Sequence, residues 1–158
     1  MSATQLDMFP QEVVCKPISE MTRREKTAYL VQEMNKLPQT ECPVVHRFAP
    51  GVYIREIFMP AGTIVIGKIH KTEHFNIVER GVCVIVHDDD TIEELRAPLT
   101  FVSKAGVQKV LYIEEDTVWK TVHVTTETDP DKLEAQLIEP PPLVQLNGMN
   151  KELLSWHG

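Results

Sequence analysis

Two histidines, His70 and His74, are the residues of this chain whose type and spacing are best suited to chemistry. The segment before His70, from Thr63 to Ile69, is apolar or β-branched at almost every position, which predicts a strand buried on both sides. A short polar link, 71–73, then leads to a second strand that starts near His74. Histidines at the facing ends of consecutive strands would place both imidazoles in one interior. The spacing therefore predicts a binding site, although it names no reaction.

The stretch that contains these histidines, from Gly62 to Gly81, resembles the first motif of the cupin superfamily. That motif consists of a glycine, a His-x-His pair, a glutamate and a second glycine. In this chain the two glycines keep the frame, His74 stands at the glutamate position, and His70 lies near the second histidine of the family. The first histidine of the family pattern is missing.

The phrase HKTEHFNIVERG, which spans 70–81, is similar to the small, uncharacterised cupin-like proteins of tailed bacteriophages. The resemblance covers about Pro50 to Thr125. It implies a mainly β fold, the RmlC-like jelly roll or double-stranded β-helix, more readily than it implies an activity.

A second stretch, Ser103 to Val110, falls where the resemblance places the second cupin motif, Pro-x-Gly-x-x-His. Gly106 matches the glycine, but Lys104 replaces the proline and Lys109 stands at the position of the ligand histidine. A lysine ammonium has no free lone pair, so Lys109 cannot simply replace an imidazole at a metal. The resemblance then implies either a different third ligand or a site without metal.

His123 is the best candidate for that third ligand. In the β-prone segment TVWKTVHVT, alternation places Trp119, Thr121 and His123 on one face. If that face looks inward, His70, His74 and His123 would form a three-imidazole site. Such a site suits a divalent transition metal (Zn, Fe, Ni or Mn) and leaves positions for water or substrate. The competing interpretation is three core or rim histidines, each hydrogen-bonded to its surroundings.

Three further side chains are assigned to the predicted site. Glu73 lies between the two histidines in sequence, where it would fix an imidazole tautomer, act as a ligand or remain solvated. In a site without metal, Lys109 would pair with an anionic ligand and Trp119 would stack on a flat or sugar ring. The remaining histidines are assigned no role: His46, His87 and His157.

Composition limits the classes of function. The chain has 158 residues, 42% of them hydrophobic, which predicts one domain with a core. Its 23 acidic and 16 basic residues give a net charge of −7, so neither nucleic acid nor an anionic membrane is expected as a partner. Three widely spaced cysteines, without a CxxC pair or an apolar signal segment, predict reduced thiols and a cytoplasmic protein, in the host cytoplasm if a phage encodes it.

Turn and proline signals divide the chain into three parts. Residues 1–49 are predicted to form an N-terminal arm and a helix, with 43–50 as a connector. Residues 50–126 form the cupin-like β-barrel of about eight short strands, with a solvated acidic hairpin tip at 88–90. Residues 127–158 form a short C-terminal helix, a proline spacer and an apolar tail.

Both predicted helices carry start signals. Thr22 and Glu25 have capping-box spacing, and Asp129 followed by Pro130 fits the cap and first position of a second helix. The first helix is expected to be amphipathic and to have about four turns, with these residues on its apolar side: Leu30, Val31, Met34 and Leu37.

Three functional hypotheses from different classes follow. The first is a cupin-like small-molecule or metal-binding protein, in its most specific form a metal-dependent enzyme acting on a small polar substrate. The second is a metal-free sugar epimerase or isomerase, which needs a histidine and a tyrosine facing one pocket, either His70 with Tyr53 or His70 with Tyr112. The third is a non-enzymatic phage accessory protein: a virion component, an inhibitor of a host protein, or a protein that sequesters a nucleotide signal.

The apolar tail predicts a homo-oligomer, in line with the cupins that the chain resembles. Three prolines hold an extended path of about 3 Å per residue, which lets the tail reach a neighbour. Burying Leu153, Leu154 and Trp156 there would contribute roughly 1.5 to 3 kcal/mol for each side chain before the ordering cost. Light scattering should show an oligomer for the full chain and a smaller mass for a chain ending at Glu139. A monomeric full chain would contradict the oligomer, and an unchanged mass after truncation would exclude the tail as its cause.

Overall fold

The computed structural model describes residues 13–140 and 143–145, with the side chains of residues 16–140. The chain is mainly β, as predicted, and divides into two compact units, one of Met1–Gln39 with Pro140–Gly158 and one of Thr40–Glu139. No helix in the described part is both long and apolar enough to cross a membrane. In chain order the elements are β1 (Val13–Cys15), a 3-10 turn (Ile18–Glu20), α1 (Arg23–Met34), β2 (Val44–Ala49), β3 (Val52–Met59), β4 (Ile64–Ile66), β5 (Ile69–His70), β6 (His74–Val86), β7 (Ile92–Arg96), β8 (Leu99–Ser103), β9 (Val110–Val124), α2 (Pro130–Leu137), β10 (Ile138–Glu139) and β11 (Leu143–Gln145).

In the first unit, α1 begins as predicted. The backbone N–H of Glu25 donates to the Thr22 hydroxyl, and the N–H of Thr22 donates to the Glu25 carboxylate, which completes the capping box. The predicted apolar side was partly wrong, because Leu30 is 44% exposed and Leu37, beyond the end of the helix at Met34, is 62% exposed. The buried side of the helix is smaller and more polar: Thr27, Ala28, Val31 and Gln32.

The first unit also contains a short parallel pair of strands, β1 and β11, in which Val13 lies opposite Leu143. The remainder of the predicted N-terminal arm lies outside the described residues. So does the predicted apolar tail beyond Gln145, including Trp156 and His157.

The second unit is organised around two long strands, β6 and β9, which pair antiparallel from Phe75↔Val122 to Val86↔Val110. At one end β8 flanks β6 and β3 flanks β9, with β2 beyond β3. At the other end β7 flanks β6 and β4 flanks β9. The prediction of short strands was wrong here, because β6 has 13 residues and β9 has 15 residues without a break.

Gly81 explains why one long strand replaces two short ones. The sequence suggests a turn at this glycine, but the register of β6 against β9 shifts between Val78 and Cys83 instead. Such bulges bend a strand without ending it. Gly81 has a φ of 96° at this point, a backbone conformation that residues other than glycine rarely adopt. The bend lets β6 take part in both ends of the sheet.

Two other segments differ from the prediction. The connector expected at 43–50 contains β2, which pairs with β3; five of its six residues are exposed, so this edge strand lacks the alternation of a half-buried strand. The strand expected to be buried on both sides, Thr63–Ile69, is divided into β4 and β5. Within it only Ile69 is buried, and Ile64 is 53% exposed.

The core of the second unit joins residues from both ends of the long strands. Each large apolar side chain removed from water contributes roughly 1.5 to 3 kcal/mol, so this cluster supplies much of the stability of the unit. Its fully enclosed members are Met59, Val78, Cys83, Ile85, Leu95, Leu111, Ile113 and Trp119.

The C-terminal helix of this unit, α2, begins where predicted. The Asp129 side chain accepts a hydrogen bond from the N–H of Asp131, and a proline occupies the first turn. On its inner side Leu133 and Leu137 pack with Tyr53 in a second, smaller apolar cluster. The helix thereby covers the part of β3 that leads to the histidines.

Replacing Gly81 with alanine should strongly destabilise the second unit. The new Cβ would overlap the backbone carbonyl oxygen of Asp116 and the backbone of Thr117, and the positive φ adds strain. Urea unfolding should show a loss of about 3 kcal/mol or more. The matched control is Gly51→Ala, since Gly51 has a φ of 76° but nothing within 4 Å of the added carbon, so only about 1 kcal/mol should be lost. Equal losses in the two variants would contradict the proposed clash.

Candidate functional site

His70 is held by strand pairing that the sequence did not predict. It lies opposite Ile138, because β5 pairs antiparallel with β10. The N–H of Lys71 donates to the carbonyl of Leu137 at 2.8 Å, and the carbonyl of His70 accepts from the N–H of Gly106 at 2.9 Å. The segment that follows α2 therefore positions His70.

His74 and His123 come from the two long strands. His74 is the first residue of β6 and His123 the last but one of β9, each one residue away from the cross-strand pair Phe75↔Val122. Both point to the interior, with exposed fractions of 5% and 3%. The pairing of β6 with β9 therefore places these two imidazoles side by side.

The structure brings all three histidines together. The ring centroids are 4.2 Å apart for His70 and His74, 4.8 Å for His74 and His123, and 5.2 Å for His70 and His123. Each ring has one buried nitrogen without a hydrogen-bond partner in the described part of the chain: His70 Nδ1, His74 Nε2 and His123 Nδ1. We call this group the three-histidine cluster.

Hydrogen bonds determine one tautomer in the cluster. His74 Nδ1 lies 3.0 Å from the carbonyl oxygen of Thr72, which can only accept, so Nδ1 carries the proton and donates it. The unpartnered Nε2 of His74 therefore carries a lone pair. His123 Nε2 lies 3.0 Å from the Thr121 hydroxyl, which leaves Nδ1 of that ring facing the cluster. Such an outer hydrogen bond is the usual way in which a ligating imidazole is oriented.

Burial keeps the cluster uncharged. It lowers the pKa of His70 to about 3, with the neighbouring histidines and then Lys109 and Arg55 acting in the same direction. It lowers the pKa of His123 to about 4, again mainly through burial, and it also lowers the pKa of His74. All three imidazoles are therefore neutral near pH 7, the form that binds metals.

The cluster has the donors of a metal site without its final arrangement. No group of three or more His, Cys, Asp or Glu side chains among the described residues is already arranged to hold a metal ion. The rings of His70 and His123 are nearly parallel, at 17°, so their faces rather than their nitrogens meet. Rotation of the imidazoles about their side-chain bonds is needed before three nitrogens could share one ion.

The structure does not bring Glu73 or Trp119 to the cluster. Glu73 is exposed, and no hydrogen bond within the described residues joins it to an imidazole. Trp119 does share the inward face with Thr121 and His123, as alternation predicts, but it is enclosed in the core. Its indole N–H donates to the Asn76 amide oxygen at 3.1 Å. Trp119 is therefore placed to support the barrel rather than to stack on a ligand.

Tyr53 lies at the cluster and contacts His46, a residue to which the sequence assigns no role. The Tyr53 ring stacks on His123 at 5.8 Å, and its hydroxyl lies 2.6 Å from Nδ1 of His46 on the neighbouring strand. The pairing of β2 with β3 creates this contact. The missed signal was the Pro50 and Gly51 turn, which makes 44–49 and 52–59 two arms of a hairpin.

Two cations also act on the cluster. The charge of Lys109 lowers the pKa of His70 and His74, and the charge of Arg55 lowers the pKa of His70 and His123. Lys109 was assigned to the site from the sequence, whereas Arg55 was missed. Its signal was position alone: it lies two residues after Tyr53 on the same face of β3, opposite Thr121.

A separate surface cavity of about 550 Å³ lies beside the tip of the β6–β7 hairpin, lined in part by His87, Asp88, Thr91 and Lys109. None of the three clustered histidines lines this cavity. We place the candidate site at the cluster, because three histidine rings, each with an unpartnered buried nitrogen, lie close together there and none of them lines the cavity.

The lowered pKa values predict that acid destabilises the protein. Between about pH 6.5 and pH 4 the unfolded chain binds protons at histidines that stay neutral when folded, so the free energy of unfolding falls as the pH falls. One such histidine accounts for about 2 kcal/mol between about pH 7 and pH 5. Urea unfolding of protein treated with a chelator should show this slope, and His70→Asn should reduce it. Val78→Ala, which opens a cavity in the core, should lower stability at every pH and keep the slope. A slope unchanged in His70→Asn would contradict the assignment.

Comparison with known proteins finds no match to a family model or to a curated protein. Solved structures are similar in fold. A cupin superfamily protein from Desulfitobacterium hafniense is 12% identical, with a TM-score of 0.46, over 59% of this chain and 85% of that one. A cupin-2 domain protein from Shewanella frigidimarina is 15% identical, with a TM-score of 0.43, over 63% and 98% of the two chains. A cupin domain from Bordetella pertussis is 11% identical, with a TM-score of 0.45, over 57% and 99%.

At these identities the likeness concerns the fold alone, and the resemblance to phage proteins stays a prediction. The main sheet of the second unit is antiparallel in the order β2-β3-β9-β6-β7, with β4 also paired to β9 and β8 also paired to β6. The chain is therefore mainly β, with a large antiparallel sheet that is consistent with the jelly roll that its sequence predicts.

Proposed function

We propose that this protein is a cupin-like metal-binding protein and that the three-histidine cluster binds one divalent transition metal. The observation that carries the proposal is the close approach of three histidine rings, each with one buried nitrogen that has no hydrogen-bond partner among the described residues. Burying a polar group without a partner costs free energy, so a structure that does it three times in one place is expected to satisfy those atoms with something else.

The donor chemistry supports a metal of the zinc, iron, nickel or manganese kind. His70, His74 and His123 would be the ligands, all neutral near pH 7, with Nε2 of His74 already fixed as a lone-pair donor. A metal with three protein ligands keeps positions for a small molecule, which it can polarise as a Lewis acid. Thr72 and Thr121 would hold the outer nitrogens of two ligands and so limit the rotation of the rings.

The metal-free epimerase is less well supported. A histidine that abstracts a proton works best with a pKa near the operating pH, whereas burial holds the pKa of His70 at about 3. Tyr112 is 48% exposed on the outer face of β9, and the hydroxyl of Tyr53 is engaged by His46. Neither tyrosine is placed as a free acid beside His70. The phage accessory roles stay predictions, with no feature of the site that favours them.

Metal analysis tests the proposed function directly. Protein purified without a histidine tag should contain about one metal ion per chain, or take it up after soaking. Inductively coupled plasma mass spectrometry measures this ratio. Calorimetric titration with Zn²⁺ or Ni²⁺ should give a stoichiometry near one, and Co²⁺ should produce visible absorption bands. Replacing any one of His70, His74 and His123 with alanine should weaken binding by about 100-fold or more, since one of three protein ligands is removed.

The control is His87→Ala, which removes a histidine that pairs with Glu93 outside the cluster. This variant should bind metal as the unchanged protein does. Failure of the folded protein to bind any of these metals at millimolar concentration would refute the proposed function, as would equal affinity in His87→Ala and His74→Ala.

A further inference from the structure

Arg55 is a cation in the interior without a counter-charge. It lies on β3 opposite Thr121, on the same face as Tyr53, and is only partly exposed. Among the described residues its guanidinium makes no hydrogen bond and no ion pair. Burial lowers the pKa of Arg55 below its usual range, although the group remains charged. The carboxylate that acts to raise the pKa of Arg55 is that of Glu134. Glu134 forms its ion pair with Lys68, at 2.5 Å, and not with Arg55.

Lys109 is a second partly buried cation that acts on the cluster, and it also lines the surface cavity beside the hairpin tip. It lies two residues before the buried Leu111, and its backbone pairs with Gly67 next to β5. Burial lowers the pKa of Lys109 to about 8, with Asp88 acting in the opposite direction. Asp88 is exposed, and within the described part of the chain no ion pair joins Lys109 to a carboxylate.

Several exposed or half-exposed basic side chains of this unit are paired. Arg47 lies 3.1 Å from Glu56, Lys120 lies 3.1 Å from Glu79, and Arg96 lies 3.0 Å from Glu94. These pairs are on the outer surface, where a partner matters least. Four basic side chains of this unit are only partly exposed, and two of them, Lys68 and Lys120, form ion pairs. For the other two, Arg55 and Lys109, no ion pair is found among the described residues, although a lone charge is costly in such a position. Two partly buried cations that act on the clustered histidines are therefore without an ion pair in the described part of the chain.

The ligands of the proposed metal do not offset this charge. His74 stands at the position where the cupin resemblance implies a glutamate. No carboxylate of the described residues belongs to the three-histidine cluster. Three neutral imidazoles leave a divalent ion with its full charge, beside two further cations. Only an anionic ligand would neutralise such a site.

We propose that the cluster binds a small organic dianion, with one carboxylate held by Arg55 and the other drawn to Lys109. This inference rests on the proposed function for the location of the site, but the two cations would attract the anion with or without metal. The guanidinium offers two parallel N–H groups that match the two oxygens of a carboxylate, and the ammonium acts as a point charge. In the protein without metal, a dianion balances the two cations one for one. The ligand is small because the apolar core fills the remainder of the barrel.

Calorimetric titration of malonate into the full chain, first freed of metal by a chelator, tests this proposal at low ionic strength. Malonate should bind, and malonamide, which has the same shape without the charge, should not. Arg55→Gln and Lys109→Gln should each weaken malonate binding by about 10- to 100-fold, the usual effect of removing a charged hydrogen-bonding partner. Arg47→Gln, which removes an exposed arginine from the neighbouring strand, should leave the affinity unchanged. Arg55→Lys should be intermediate, because it keeps the charge and loses the paired N–H groups.

If Arg55 stabilised the fold instead of binding a ligand, Arg55→Gln would unfold at a lower urea concentration than the unchanged protein. An unpaired interior cation does not stabilise the fold, so Arg55→Gln should unfold at the same urea concentration as the unchanged protein or a higher one. Three results would overturn the proposal. The first is an affinity for malonate that is the same in Arg55→Gln as in the unchanged protein, and the second is an affinity for malonamide equal to that for malonate. The third is malonate binding that is undetectable at about 50 mM. Tighter binding of inorganic phosphate than of malonate would overturn the assignment to a carboxylate. Malonate binding without metal binding would refute the proposed function alone, and metal binding without malonate binding would refute this inference alone.

Discussion

The pairing of β6 with β9 is the interaction on which the second unit depends. These two strands run side by side, and every other strand of the main sheet joins one or the other of them directly or through β3. The same pairing sets His74 beside His123 at one end and encloses Cys83 and Ile113 further along. A slip of one residue would turn these side chains to the outer face, so the register that builds the core also builds the site.

The interior of the second unit has an apolar region around Trp119 and a polar region around His70. Around Trp119 the side chains are close-packed, and the one buried amide there, Asn76, is bonded on both sides, to Trp119 and to Ser103. Around His70 the opposite holds, since nitrogens and cations remain without partners. Proteins tolerate such unsatisfied groups where a ligand completes them, and the core nearby supplies the stability that offsets them.

The sequence predicted the parts of this arrangement that depend on local pattern. His70 and His74 were found from their spacing, His123 from alternation along a β-prone strand, and both helix starts from their caps. The sequence did not predict the features that depend on contacts between segments far apart in the chain. The edge strand β2 is mostly exposed and so lacks periodicity, and β10 has only two residues, which leave no pattern to detect. Arg55 was missed for the same reason, because a charged residue in an alternating strand gives no sign of which face is buried.

The pairing of β5 with β10 bears on how the protein is made. During synthesis the strand that contains His70 leaves the ribosome early, but its partner, Ile138–Glu139, is among the last parts of the second unit to emerge. The core between β6 and β9 needs only residues up to Val124, so it can form before α2 exists. The nascent chain would thus pass through a stage in which the core is folded but the candidate site is incomplete, because His70 still lacks the strand that positions it.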